Sequence, residues 1–530
     1  MSHAPLPESL AHLTDLSLDA TGSFVLYATD DYFAPKEALL RPGAPEWREG
    51  VYTDRGKWMD GWESQRRRAP GHDFAIVRLG TPGTIEAVLC DTTHFKGNAP
   101  DRVAIEAIEA PLTTTADALL ALPVARTQAE LEGHGGRAWL EIAPAAAVRP
   151  DHASVLAPAL ALPRATHVRL RIFPDGGVAR LRVFGQVRPD PRRFWGAAAV
   201  DLAAIEHGGR IAAASDEFFG PPSNLLLPGR GADMGGGWET RRRRTPGTDW
   251  CVIRLGRRGR IERIELDTYL FKGNAPQAAV IECLDAESLG GAELERRLAA
   301  PEGWHPLIAR TLLVPHHRHV LEPARAEPAT HVRVHLVPHG GLNRLRAYGH
   351  ALDTPDDQRA LAALHAMAVD ARGELLRSFC GARAFAEGLG ARLPADSVRG
   401  LFAAAAAVLD SLAEPDWLEA FAAHPKLGAA RAPREATSQS ATWSRGEQAG
   451  VSGGDGDVLA RLARANEAYE KRFGFTFIAF ASGRGADEVL ELLEGRLGQA
   501  RAAEIANAAR EQAHITRHRI AQWLLANGAG

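Results

Sequence analysis

The sequence predicts a multidomain protein in which two all-β repeats of the sandwich or jelly-roll type are followed by an all-α helical domain. Three observations predict this fold class. Motifs recur in the same order across about the first 350 residues, short β-forming runs recur within each copy, and helical spacing of apolar residues begins near residue 356. The predicted domains are residues 10–190, 191–352 and 356–526.

The internal repeat is defined by motifs that return in one order. Residues 61–100 begin with Gly-Trp-Glu, continue with three arginines and end in Phe-Lys-Gly-Asn-Ala-Pro, and residues 237–276 repeat this order. Shorter blocks before and after these segments match as well. The first part of the chain is therefore predicted to hold two copies of one domain.

Each copy is predicted to consist of β-strands. Residues 74–79 and 250–255 are short β-rich runs bounded by glycine and proline, and residues 85–89 and 261–266 follow closely, as hairpin partners do. Residues 168–172 alternate apolar and polar side chains, which predicts a strand with one buried and one exposed face. Many short strands separated by turn residues favour a sandwich or jelly roll.

The last part of the chain is predicted to be helical. In residues 458–469, apolar side chains recur at the spacing of one helix face. Ser397 and Asp487 are predicted to cap the N-termini of helices. Residues 433–456 are rich in glycine, serine and threonine, which favours a long loop between helices.

Composition excludes several classes of function. Lysine and arginine total 62 against 65 acidic residues, and the net charge of −3 disfavours nucleic acid or a membrane as the main partner. The four cysteines show no Cys-x-x-Cys spacing, which favours a reducing compartment. No signal peptide and no membrane-spanning run are recognised, so a cytoplasmic location is expected. The sequence leaves the oligomeric state open, a homo-oligomer included.

Three clusters in the helical part carry side chains suited to chemistry. His424 follows a predicted helix, which Pro425 ends; Glu447 lies on the predicted loop; and residues 472–481 are strongly aromatic. A histidine at such a position titrates near neutrality when it is partly exposed. The alternative interpretation is a capping or solvated histidine, a solvated glutamate and an ordinary apolar core. Spacing alone leaves both interpretations open.

The three clusters resemble the OHCU decarboxylase family (2-oxo-4-hydroxy-4-carboxy-5-ureidoimidazoline decarboxylase), an all-helical fold. The similarity covers about residues 355–523 and rests on His-Pro-x-Leu-Gly, Ser-x-x-Glu-Gln and Phe-Gly-Phe-x-Phe-Ile. It implies that His424 is the acid–base residue and Glu447 its partner. It also implies substrate contacts from Pro425, Ser444, Gln448, Phe477, Ile478 and Ala481. The resemblance implies decarboxylation to (S)-allantoin without a metal or another cofactor.

The repeated arginine and Phe-Lys-Gly-Asn-Ala-Pro segments match no standard metal-binding or nucleophile spacing. One interpretation is a solvated edge strand at residues 66–68 and 241–244, together with turn-forming Gly-Asn pairs. The other is a set of guanidinium and ammonium groups that bind a small polar anion beside carboxylates.

The duplicated Trp-Glu-x-x-Arg-Arg-Arg, Asp-Thr and Phe-Lys-Gly-Asn-Ala-Pro pattern resembles the allantoicase family across about residues 10–350. The resemblance implies hydrolysis of allantoate to ureidoglycolate and urea. Arginine and lysine would bind the carboxylate, and acidic residues would bind ureido groups or activate water. The candidate substrate-binding residues are Glu63, Arg67, Asp91, Lys96 and Asn98 in the first copy and Glu239, Arg243, Asp267, Lys272 and Asn274 in the second.

Histidines differ between the two copies. His94 in the first copy corresponds to Leu270 in the second, whereas His167 and His331 occur in both. If His94 takes part in catalysis, one copy alone holds a complete site. The shared histidines are expected to be structural.

Together the two resemblances predict a bifunctional enzyme of ureide breakdown that acts on small-molecule substrates. Two alternatives remain: the sandwiches are binding modules without catalysis, or one part of the chain has lost its activity.

Overall fold

The computed structural model describes residues 10, 12–425, 443, 456–481 and 484–528. The chain divides into two compact units, the first holding residues up to 193 together with 199–351, and the second holding 194–198 and residues from 352 onward. The first unit contains both β repeats, and the second is helical, so the predicted fold class is confirmed. The residue boundaries of the three predicted domains stay a prediction.

The first repeat is a β-sandwich with two short helices, α1 (Ala116–Leu120) and α2 (Gln128–Gly133). Its strands are β1 (Thr14–Asp15), β2 (Phe24–Ala28), β3 (Tyr52–Thr53), β4 (Gly56–Lys57), β5 (Trp62–Glu63), β6 (Asp73–Asp91), β7 (Arg102–Ile108), β8 (Val124–Ala125), β9 (Trp139–Ala147), β10 (Ala153–Leu156), β11 (Ala165–Phe173), β12 (Gly177–Val178) and β13 (Arg180–Val187).

The second repeat follows the same plan with one helix, α3 (Gly291–Ala299). Its strands are β14 (Val200–Asp201), β15 (Arg210–Ala214), β16 (Trp238–Glu239), β17 (Asp249–Asp267), β18 (Ala278–Leu284), β19 (His305–Leu312), β20 (Arg318–Leu321), β21 (Pro328–Val337), β22 (Gly341–Leu342) and β23 (Arg344–Ala351).

One long strand organises each repeat, and the predicted hairpins at this position are wrong. Strand β6 runs without interruption through 19 residues, and so does β17. The first half of β6 pairs with β2 and β11, and its second half pairs with β10 and β13. Gly80 lies between the halves, where a β-carbon would come within 2.5 Å of Thr21. A residue without a side chain lets the strand continue through this crowded point instead of turning back.

The polar face of strand β11 is buried, contrary to the predicted exposed face. Arg169 and Arg171 both form ion pairs with Glu106, whose side chain is fully buried. The Arg169 guanidinium also lies 4.6 Å from the ring centre of Trp139. The apolar side chains of β11 therefore face the core, and its polar side chains face a second buried layer of paired charges.

The helical unit is built from α4 (Pro355–Ala366), α5 (Val369–Cys380), α6 (Arg383–Gly390), α7 (Val398–Ser411), α8 (Glu414–Ala422), α9 (Gly456–Phe473), α10 (Ala486–Arg496) and α11 (Arg501–Gly528). Ser397 caps α7 by accepting a hydrogen bond from the Gly400 amide, as predicted. The predicted cap at Asp487 is wrong, because Gly485 occupies the cap position of α10. The predicted loop at residues 433–456 lies largely outside the described residues.

The helical unit also includes residues 194–198, which the chain order places between the two repeats. Trp195 stacks on Phe402, with ring centres 5.8 Å apart, and its indole N–H donates to Asp357 at 3.0 Å. The core of the helical unit thus recruits a side chain from far along the sequence. Among the described residues, no helix is long and apolar enough to span a bilayer.

Candidate functional sites

The first repeat contains a polar pocket of about 330 Å³ around a carboxylate–amide pair. Glu63 lies at the end of β5, and its Oε1 accepts a hydrogen bond from Asn98 Nδ2 at 2.7 Å. Burial raises the pKa of Glu63, against the opposing effect of the Asn98 hydrogen bond. A partly desolvated carboxylate with an amide beside it is suited to accept a proton or to bind an N–H group.

A histidine and two lysines complete the wall of this pocket. His94 has a left-handed backbone conformation (φ 74°), and its backbone N–H donates to Asp151 at 2.8 Å. Its imidazole lies 5.5 Å from the ring centre of Trp47. Lys96 Nζ is 3.7 Å from Asp151, and Lys57 Nζ lies 4.0 Å above the Trp47 ring. Two ammonium groups at the rim suit an anionic ligand.

The second repeat keeps the carboxylate–amide pair but not its surroundings. Asn274 Nδ2 donates to Glu239 Oε1 at 2.6 Å. Leu270 stands at the position of His94 and has the same backbone conformation (φ 72°). The connecting segment is shorter, since 11 residues (227–237) replace the 21 residues (41–61) that supply Trp47 and Lys57 in the first repeat.

The remaining sequence candidates in the repeats lie elsewhere. Arg67 pairs with Asp73 at 2.6 Å, and Arg243 pairs with Asp249 at 2.6 Å. Lys272 is exposed. Asp91 and Asp267 accept hydrogen bonds from the backbone two residues later, at Thr93 and Tyr269, and do not line the Glu63 pocket. The structure thus brings together Glu63, Lys96 and Asn98 from the predicted set of the first repeat.

In the helical unit, His424 lies just beyond the end of α8 and is buried. Its backbone N–H donates to Phe421 at 3.1 Å, and its Nε2 has no hydrogen-bond partner among the described residues. Burial and the positive charge of Arg519 lower the pKa of His424 to about 3, while Gln512 opposes this shift. The side chain is therefore neutral near pH 7 in the unliganded protein. The alternative of a solvated histidine is wrong.

The aromatic segment after α9 contributes both core packing and backbone groups. Phe477, Ile478 and Ala481 are buried in the main apolar cluster of the helical unit. Their backbone is held by charged side chains, because Arg496 donates to the Ile478 carbonyl at 3.0 Å and Glu511 accepts from the Phe480 amide at 2.7 Å. Pro425 follows His424 directly, whereas Ser444, Glu447 and Gln448 lie outside the described residues.

Sequence reasoning missed the polar stripe of α11 that faces His424. Gln512, Thr516 and Arg519 are almost fully buried and recur at the spacing of one helix face. Gln512 Nε2 donates to the Cys380 carbonyl at 3.3 Å, and its Oε1 has no partner among the described residues. The signal available in the sequence was that these three polar residues recur at the spacing of one helix face. Among the described residues, no group of three or more potential metal ligands occurs.

Comparisons with known proteins agree with the division of the chain into two β repeats and a helical unit. The allantoicase repeat family matches residues 14–188 and 200–352, and the OHCU decarboxylase family matches residues 365–521. A probable allantoicase from Pseudomonas paraeruginosa is 41% identical over 349 residues, which are 66% of this chain and 97% of that protein. Probable allantoicase 2 from Burkholderia pseudomallei is 42% identical over 335 residues, which are 62% of this chain and 92% of that protein.

The crystal structure of allantoicase from Saccharomyces cerevisiae is also similar. It is 32% identical, covers 65% of this chain and 95% of that chain, and has a TM-score of 0.52. The family matches and the fold together define a two-part enzyme, with a duplicated sandwich followed by a helical unit. The chain belongs to the allantoicase family and carries an OHCU decarboxylase domain after the two repeats. It combines a hydrolase and a lyase of ureide breakdown, and the predicted function is confirmed at this level.

Proposed function

We propose that the pocket around Glu63 in the first repeat hydrolyses allantoate to ureidoglycolate and urea, and that the helical unit decarboxylates OHCU at His424. The observation that carries the first assignment is the pocket itself. It joins the Glu63–Asn98 pair to His94 and Lys96, whereas the second repeat has a leucine at the position of His94.

The chemistry of the Glu63 pocket fits a carboxylate that bears ureido groups. Lys57 and Lys96 supply positive charge for the substrate carboxylate. Glu63, whose pKa is raised by burial, accepts a proton from the attacking water more readily than a fully solvated carboxylate. Asn98 holds the Glu63 carboxylate in place through its amide. In this proposal, Arg67, Asp91 and their counterparts in the second repeat take no part in the hydrolysis. They stabilise the fold or lie at other places on the surface.

Decarboxylation requires a proton for the carbon that loses its carboxylate. When CO2 leaves, the electron pair of the broken bond stays on the ring carbon, which then takes a proton. His424 is neutral in the unliganded protein, but a substrate carboxylate placed beside it and Arg519 favours the imidazolium form. The imidazolium then protonates the carbanion, and water restores the proton to the imidazole.

The other residues implied by the OHCU decarboxylase similarity remain proposals. Glu447 would orient His424, while Ser444 and Gln448 would hold the ureido and carbonyl groups. The buried backbone from Phe477 to Ala481 would pair with the imidazoline ring, with Pro425 beside it.

Replacing His424 tests the assignment of two separate activities. In the His424→Asn variant, we expect the rate of CO2 release from OHCU to fall about 10²–10⁴-fold, because a positioned acid–base group contributes that much. Urea release from allantoate by the same preparation should not change. Both products are measured with the purified full-length chain.

The matched control is His514→Asn, an exposed histidine on α11. It should retain both activities. Unchanged CO2 release in His424→Asn would remove this residue from the reaction, and loss of both activities would contradict independent sites.

A further inference from the structure

The second repeat has a second pocket, of about 410 Å³, on the outer face of its sheet. Four arginines and two carboxylates line it, namely Arg230, Arg318, Arg344, Arg346, Glu265 and Asp267. Arg344, Arg346 and Tyr348 alternate along β23 and so point to the same face, while Leu345 and Ala347 point into the core. The hydrolysis proposed above does not use this pocket.

Three of the four arginines form salt bridges with carboxylates, the third being Arg346 with Asp201, whereas Arg344 forms none among the described residues. Arg230 pairs with Asp267 at 2.7 Å, and Arg318 pairs with Glu265 at 2.5 Å. Arg344 is 6% exposed, and its Nη1 donates to the carbonyls of Gly236 and Asn343. Among the described residues, its Nε has no hydrogen-bond partner, and no carboxylate forms a salt bridge with it, since the nearby Asp267 pairs with Arg230 instead. A buried guanidinium without a directly bound carboxylate is unfavourable.

The first repeat has a carboxylate partner for the arginine at this position, although the Arg180 Nε, like that of Arg344, has no hydrogen-bond partner among the described residues. Arg180 is opposite Asp91 in the same register that places Arg344 opposite Asp267. Arg180 Nη2 donates to Asp60 at 2.5 Å, and Asp60 is itself buried. The residue that corresponds to Asp60 in the second repeat is Gly236. The second repeat therefore keeps the buried guanidinium and lacks its carboxylate.

The residues around Arg344 are also more polar than the corresponding residues around Arg180. In the first repeat, the face is covered by an apolar cluster that includes Leu10, Leu89 and Phe184. The positions of Leu89 and Phe184 are Glu265 and Tyr348 in the second repeat, and Arg318 takes the position of Ala153. The closed apolar face has become an open polar pocket.

We propose that this arginine pocket of the second repeat binds a small organic anion through a carboxylate that takes the place of Asp60 beside Arg344. Guanidinium groups are well suited to carboxylates because their N–H groups can donate in parallel. Arg230 and Arg318 keep Asp267 and Glu265 paired, so these carboxylates do not repel the ligand strongly. The ligand class is thus a small organic carboxylate.

Calorimetric titration of the full-length chain with malonate tests the proposal. Two variants attack the site in opposite ways: Arg344→Gln removes the charge, and Gly236→Asp supplies the missing carboxylate. We expect each to weaken malonate binding by about tenfold or more, which corresponds to about 1.4 kcal/mol. Gly236→Asp should also raise the unfolding temperature. A β-carbon there meets the Gly231 Cα at 3.0 Å, which a surface loop can relieve by a small shift.

The matched control is Arg310→Gln, an exposed arginine on β19 of the same repeat, which should bind malonate as the parent does. Absence of malonate binding at low salt, or equal affinity in all three variants, would overturn the proposal. Binding of inorganic phosphate with this dependence but not of malonate would overturn the ligand class. Urea release measured on the same preparations shows separately whether the hydrolysis assignment holds.

Discussion

The two β repeats share their motifs and their long central strand, yet each opens a different pocket. In the first repeat, the 21-residue segment 41–61 supplies Trp47 beside Glu63 and Asp60 against Arg180. In the second, the 11-residue segment 227–237 does neither, so Arg344 borders an open pocket. The two repeats thus share one scaffold, and the loop between the two motifs determines which polar groups are accessible in each repeat.

Residues that both copies retain serve mainly the scaffold. Phe95 and Phe271 are fully buried, and a β-carbon at Gly177 or Gly341 would lie about 2 Å from the respective ring. Such contacts require phenylalanine and glycine together, because neither ring could stay in place beside a larger residue. Many residues of the repeated motif are therefore common to both copies because they pack together, and not because they take part in catalysis.

The comparison is tested most strongly by removing the same carboxylate from each repeat. Glu63→Gln should lower the rate of urea release about 10²–10⁴-fold, because the amide cannot accept a proton from water. Glu239→Gln should retain most of the activity, and it serves as the matched control. Both substitutions preserve the oxygen that accepts from Asn98 or Asn274. Equal losses in the two variants would assign catalysis to both repeats.

The two repeats should contribute equally to the pH dependence of the free energy of unfolding, in contrast to their unequal contributions to catalysis. Burial, followed by a nearby arginine, lowers the pKa of His167 and of His331 to about 4. The unfolded chain binds a proton near pH 6.5 and the folded chain does not. Stability is therefore lost as the pH falls from 6.5 to 4, by about 3 kcal/mol for each histidine.

Urea denaturation across this pH range measures the effect. His167→Asn and His331→Asn should each reduce the pH dependence by a similar amount, because the two side chains have equivalent Thr partners at 2.9 Å. A dependence that only one variant reduces would show that the repeats are not equivalent in their shared interior.

The smallest expected effect concerns the residue at which the two pockets differ. His94→Leu, which copies the second repeat, should lower kcat/KM for urea release about tenfold, the equivalent of one lost hydrogen bond of about 1.4 kcal/mol. The backbone tolerates the change, since Leu270 adopts the same conformation. The reciprocal Leu270→His variant should gain no activity, because the second repeat lacks the Trp47 segment. A gain there would show that the histidine alone defines the site.

Part of the site was predictable from local pattern and part was not. The His-Pro pair and the aromatic segment stood out in the sequence, and both lie in the buried part of the helical unit. Gln512 and Arg519 were missed because polar residues in a helix usually face water, and only packing against α5 and α8 buries them. The predicted hairpins failed for a related reason, since glycines marked a crowded crossing rather than a turn.

The sequence alone determined the duplication, the division into β and helical parts, and the family, because these follow from repeated motifs and local periodicity. The tertiary structure decided which of the repeated polar residues share a pocket and which neutralise one another. That outcome depends on loops that pack over strands more than a hundred residues away, as Asp60 does on Arg180. Local pattern carries no information about such distant contacts, and the chemistry of each repeat depends on them.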